Sequence, residues 1–274
     1  MSIGVSRDGA IDCGRALTAH PSRWWLAAGL AALSASIWLA TFVGYTASDD
    51  AAYLDGARGW LHHFPYVGTQ WWQVRLPTVL PIAVSIGLLG EGEYAMTLPG
   101  LFYQAGIVLV AFTFLQRLSS VPVAVAASLL LATLPVDVME SSIADAVVPM
   151  VFFAGLSLWL FILATRRPER QVRLLLAAGA VAGIAEIAHE AAVGIILVYG
   201  ILFLEGFAIP RRRYWIMAGG FAIAIGLEML YYGLAAGDPF HRIEMSLGDA
   251  HVADRPVMTG IGMDKTGPLR VRPV

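Results

Sequence analysis

Charge is scarce in this chain. Only 14% of its 274 residues are Asp, Glu, Lys or Arg, where a soluble domain carries about a quarter. That shortage argues against an ordinary soluble domain. With 58% apolar residues and a mean hydropathy of +0.69, the balance points to a membrane protein. Cysteine is nearly missing. The one thiol, Cys13, permits no internal disulfide, so an outer face must be held by packing. No Walker loop, Rossmann fingerprint, CxxC pair or Gly-x-Ser-x-Gly elbow occurs, which argues against a nucleotide-dependent enzyme. There is no internal repeat and no low-complexity linker. The net charge of −2 is divided by side rather than pooled in a patch, so nucleic acid is not an expected partner.

What the chain does have is long apolar runs: 24–44, 95–116, 121–136, 147–165, 173–188, 191–209 and 214–235. Each reads as a helix, because irregular backbone cannot face lipid unsatisfied. The run 24–44 is too long for a signal-peptide core and reads as an uncleaved first span. The run 77–90 has about 14 residues and two prolines, a length that suits a re-entrant or interfacial segment. Charge supports that reading. If 77–90 does not cross, Arg117, Arg166, Arg167, Arg170, Arg173 and Arg211 to Arg213 all join the N-terminal arginines on the cytoplasmic side, as the positive-inside rule requires. The expected fold is all-α and polytopic, with about seven transmembrane helices. Residues 1–23 form a cytoplasmic tail, 24–235 a membrane-embedded module with its first outer loop at 45–94, and 236–274 an outer-face tail without a recognisable element.

The outer loops hold the candidate chemistry. Ser48-Asp49-Asp50 precedes an amphipathic stripe of Tyr53, Leu54, Ala57, Trp60, Leu61 and Phe64. This spacing predicts an interfacial helix, with Asp49 and Asp50 at its positive N-terminus. One of the two is expected to cap the helix, which leaves the other free. Arg75 follows Trp71-Trp72 and reads either as a snorkelling belt arginine or as a phosphate ligand. Asp137, Glu140 and Asp145 gather in the second outer loop, and Asp145 can also cap the next helix. His189-Glu190 interrupts two apolar runs, with Glu186 one turn earlier; ionisable residues at that depth usually mark a site. Glu228 in the last span is a candidate partner for that group or for an arginine. His62-His63 offers metal-ligand chemistry without matching spacing, so a divalent metal is only weakly supported.

The order of these motifs carries a resemblance. An acidic pair follows the first span. A Trp-rich loop then ends in Arg75-Leu76-Pro77-Thr78-Val79-Leu80-Pro81 and Leu88-Leu89-Gly90. Pro135, Glu140-Ser141-Ser142 and Asp145 come next, then the His189-Glu190 turn, then Gly237-Asp238-Pro239-Phe240. Over about 24–245 this resembles the protein mannosyltransferase and aminoarabinose transferase group of polyprenyl-phosphate-dependent, GT-C-fold glycosyltransferases. The resemblance implies inverting sugar transfer from a polyprenyl-phosphate donor to a hydroxyl acceptor, at the outer face of the inner (plasma) membrane. It assigns catalysis to Asp49, Asp50 and Asp145. Arg75, His189, Glu190, Glu140 and His62 are left to bind substrate or phosphate. Two departures stand out. Relatives often place a phosphate-binding lysine where this chain has His189-Glu190. They also usually continue past the seventh span with more helices and a soluble domain, so the chain reads as a truncated member. The rival expectations are a transporter using Glu186, His189, Glu190 and Glu228 as its pathway, or a non-catalytic membrane subunit.

Overall fold

The structure is a computed structural model that describes residues 21–46 and 48–250. Among the described residues all regular structure is helical: α1 (Pro21–Ala40), α2 (Asp49–His62), α3 (Leu76–Leu89), α4 (Glu93–Leu118), α5 (Val121–Thr133), α6 (Pro135–Ser141), α7 (Val147–Arg166), α8 (Gln171–Ala188), α9 (Val193–Glu205), α10 (Arg211–Ala235) and α11 (His241–Ala250). Single 3-10 turns precede α8 and α9. The N-terminal tail, Cys13 and the last part of the outer tail lie outside the described residues.

Four helical stretches are long and apolar enough to cross a membrane: α4, α7, α8 with its preceding turn, and α10. A fifth results if α5 and α6 are one broken span; they meet at 58°. The break falls at Leu134, whose extended backbone is what a following proline, Pro135, demands. The expected span 121–136 is thus interrupted near its end. The expected span 191–209 is also shorter as helix. Gly206 adopts φ +65 and ends α9 in a Schellman motif, with Gly206 N–H on Phe203 O and Phe207 N–H on Leu202 O. Arg211 then hydrogen-bonds the Phe203 and Leu204 carbonyls left over.

Three apolar clusters hold the bundle. Ala27, Leu30, Val108, Phe112, Ala124 and Ala132 join α1, α4 and α5. Phe161, Leu175, Ala178, Tyr214 and Met217 join α7, α8 and α10. Tyr53, Ala57, Val79, Ile82, Ile86 and Met96 join α2, α3 and α4. α8 and α10 cross on glycines. A Cβ at Gly179 would strike the Met217 carbonyl, one at Gly220 the Leu176 carbonyl, and one at Gly183 the Ala224 side chain. Gly179 and Gly183 form a small-xxx-small pair of the kind that lets membrane helices touch backbone to backbone. Gly183 on Ala224, and Glu186 and Glu228 on one arginine, lie further along both helices than Gly179 on Met217, so α8 and α10 run in the same direction. The chain between them must therefore return the length of the bundle.

Arginine-bearing turns gather at one end. Arg166 donates to the Arg117 carbonyl at 2.9 Å, which brings the α4 and α7 C-termini together beside the turn carrying Arg167 and Arg170. At the other end the Gly44 N–H reaches the Ser142 carbonyl and Trp38 Nε1 the Ser141 carbonyl at 2.9 Å. Residues 64–75 dock there on α10 and α11. Tyr231 donates to Tyr66 O, Tyr232 to Val74 O, and a His241 ring nitrogen lies 2.8 Å from Gly68 O.

Candidate functional site at the acidic end

α2 begins as its sequence predicts, and the two aspartates divide the work. Asp50 is 2% exposed. Its Oδ1 accepts from Ser48 N (2.7 Å) and Ala51 N (3.0 Å), and its Oδ2 accepts from the backbone N–H and hydroxyl of Thr46. All of these donors sit in its own turn, so Asp50 fastens the start of α2 and has no room for a substrate proton. Asp49 is exposed beside it. The buried stripe of α2 is Asp50, Tyr53 and Ala57, packed on α3 rather than laid on lipid. Leu61 and Phe64, expected in that stripe, are exposed.

Arg75 is the hub. It is 3% exposed, unlike a snorkelling belt residue. It sits just before α3, where Pro77 occupies the first turn without needing a backbone donor. Nη1 donates to the Tyr53 hydroxyl at 2.9 Å and Nη2 to Glu190 Oε2 at 3.0 Å. The guanidinium lies over the Trp71 ring, 3.7 Å from its centroid. Its Nε has no hydrogen-bond partner among the described residues, an unusual state for a buried donor. Burial pushes the Tyr53 phenol well up, against the lowering pull of Arg75, while Asp145 and Asp49 push it further up. Those two acids, from distant stretches of chain, are both within electrostatic range of the same hydroxyl.

The His189-Glu190 turn closes the hub from the end of α8. His189 has extended backbone and caps the short turn that follows; its Nδ1 accepts from Ala191 N at 3.1 Å. The ring proton therefore sits on Nε2. Burial and then Arg75 pull the His189 pKa down, against weaker upward pulls from Glu190 and Asp145. Burial raises Glu190, but its own backbone N–H, Arg75, Ser246 and His189 outweigh it and hold the carboxyl below its usual range. A stability effect follows. An unfolded histidine titrates near 6.5 and the folded His189 lower, so between those values only the unfolded chain holds the proton. Stability should fall as pH drops through that window. Heat-unfolding curves of the detergent-solubilised chain between about pH 7.5 and 5 should lose less on acidification in His189→Gln. Equal losses would mean that His189 does not titrate differentially.

Asp145 accepts from Val147 N at 2.9 Å and so helps start α7, as its capping role predicts. It also lines a small cavity with Thr78, Met96, Pro99 and Tyr103. Thr78 Oγ1 is buried there without a partner among the described residues. Glu140, one helix earlier, lies near the Asp145 carboxyl. His62 does not join the site. It is exposed in the last turn of α2, about 20 Å along the helix from Asp49. Among the described residues no three His, Cys, Asp or Glu gather to hold a metal ion.

Two residues tied to these acids lie where the sequence offered no element. α11 brings Arg242 between Glu228 and Glu186 (2.9 and 2.6 Å) and Ser246 onto Glu190 (2.8 Å). The only advance signal was that Glu228 needed a cation.

Two apolar grooves flank the bundle. One, about 670 Å³, runs between α3 and α4 along Leu80, Val84, Leu88, Pro99, Phe102 and Tyr103. Pro99 and Tyr103 are also walls of the Asp145 cavity. The other, about 320 Å³, lies among α8, α9 and α10 toward the arginine end, away from these acids. No protein-family model, curated protein or solved structure matches this chain.

Proposed function

We propose that this chain is an inverting membrane glycosyltransferase that moves a sugar from a polyprenyl phosphate to a hydroxyl acceptor at the acidic end of the bundle, facing away from the cytoplasm. In this reading seven segments cross the membrane: α1, α4, α5 with α6, α7, α8, α9 and α10. α3 enters and leaves on the outer side. The gathering of the arginine-bearing turns of Arg117, Arg166, Arg167 and Arg170 at the opposite end supports that orientation. So does the parallel course of α8 and α10, which needs α9 as a return.

One observation carries the chemistry. Arg75 ties the Tyr53 hydroxyl of α2 to Glu190 in the His189-Glu190 turn, with Asp49 and Asp145 within electrostatic range of that hydroxyl, beside an apolar groove that shares Pro99 and Tyr103 with the Asp145 cavity. The acceptor oxygen attacks the anomeric carbon and Asp49 takes its proton. The bond from that carbon to the phosphate oxygen breaks, and polyprenyl phosphate leaves with the electron pair. Arg75, with the His189 Nε2–H, meets the growing charge. Asp145 orients the acceptor. The α3–α4 groove suits an isoprenoid chain because its lining is apolar.

The test is transfer in vesicles holding the purified chain and polyprenyl phosphates linked to hexoses, pentoses or aminopentoses. No transfer from any donor would end this reading. Arg75→Lys should transfer about tenfold more slowly, since it keeps the charge but loses one charge-assisted hydrogen bond of the fork. A rate equal to the wild type would remove Arg75 from the mechanism. The facing carboxylates Glu186 and Glu228 favour a second reading, a transport pathway. That reading predicts substrate flux across sealed vesicles that Glu228→Gln abolishes, without transfer.

A further inference from the structure

Two carboxylates close on one buried cation at the acidic end. Glu228 on α10 is 6% exposed, and Arg242 on α11 is 5% exposed. The Arg242 Nε donates to Glu228 and its Nη2 to Glu186 on α8. Buried charges persist only when paired in good geometry, so α11 cannot leave without exposing both acids. One turn further, Ser246 donates to Glu190 Oε1 at 2.8 Å, while Glu190 Oε2 takes Arg75 Nη2 at 3.0 Å. The spacing i, i+4 puts Arg242 and Ser246 on one face of α11. His241 adds a third tie, to the Gly68 carbonyl on the opposite wall.

We propose that α11 is a clamp on the Arg75–Glu190 pair, with Arg242 as its anchor and Ser246 as the residue that positions Glu190. Without Ser246 the Glu190 carboxylate, with 38% of its side chain exposed, is free to rotate away, and Arg75 loses its orientation. The docking of α11 stands independently. Its consequence for transfer rests on the proposed role of Arg75. The charged groups facing Glu190 are Arg75 from the segment before α3, His189 in its own turn, and Glu228 of α10. Arg242 lies between Glu228 and Glu186, and Asp145 acts on His189 from the start of α7.

Phenylglyoxal labelling of Arg75, read by mass spectrometry on the reconstituted full chain, tests the clamp without any need for transfer. Wild type and Ser246→Thr should label slowly. Ser246→Ala should label about tenfold faster, the worth of one hydrogen bond to a charged group, and Arg242→Ala at least as fast. The Ser246 variants leave the buried ion network intact, so they decide the matter even if Arg242→Ala fails to fold. Equal labelling in Ser246→Ala and wild type would overturn the clamp. Where transfer is measurable, Ser246→Ala should move the acid limb of its pH profile upward, because Glu190 loses a donor to its charged form, and Ser246→Thr should restore it. An unmoved limb would refute the positioning role. Absence of transfer in the wild type counts against the glycosyltransferase reading alone, because labelling still decides the clamp.

Discussion

Asp49→Asn should lower sugar transfer about 10²–10⁴-fold, the usual contribution of a positioned general base, while leaving the heat stability of the chain nearly unchanged. Asp50→Asn should do the reverse. The two residues are neighbours in sequence but opposites in environment. Asp50 takes four hydrogen bonds from Thr46, Ser48 and Ala51, and an amide in its place turns two hydrogens toward donors. Leaving such donors unmatched costs about 1–3 kcal/mol and loosens the turn that presents Asp49. Asp49 is exposed at the start of α2, open to an acceptor hydroxyl. Rates per folded molecule and melting curves separate the two outcomes. Wild-type transfer by Asp49→Asn would remove this residue as the base, and Asp145 would be the acid to test next.

Much of this division was hidden in the sequence for a physical reason. Periodicity located α2, since Tyr53, Ala57 and Trp60 recur on one helical face, and the short apolar run 77–90 marked α3. The cost of charge in lipid picked out Glu186, His189, Glu190 and Glu228. Pairing across the fold was not legible. Arg75 and Glu190 are 115 residues apart, and no local pattern encodes their contact. Nor does a pattern say which of two adjacent aspartates folds back on its own turn. α11 was missed because its charge and glycine content read as tail, whereas its stability comes from tertiary ion pairs that propensity ignores. α5 and α6 were joined because the apolar run continues through Leu134, while Pro135 bends the backbone there. The short loop helix that follows places Glu140 against Asp145, a proximity the sequence could offer only as a cluster of acids.

The same long-range logic makes Gly179→Val the most damaging small change expected outside the acidic end. A Cβ at Gly179 has no free volume, because it points at the Met217 backbone carbonyl, which cannot swing aside as a side chain would. The helices must separate, and α8 and α10 hold Glu186 and Glu228 on either side of Arg242. Separation therefore strips contacts from the crossing and stretches the buried ion network above it. The cost should be about 3 kcal/mol or more, at the top of the range for overpacking. Gly219→Ala is the matched control. Gly219 lies in the same helix α10 with open space around its Cβ position, so alanine there should stabilise by about 0.4–1 kcal/mol through helix preference and a less flexible unfolded chain. Denaturation of both variants in one detergent gives opposite signs if α8 and α10 touch backbone to backbone. Gly179→Val with wild-type stability would mean that they do not, and the shared grip on Arg242 would then need another source.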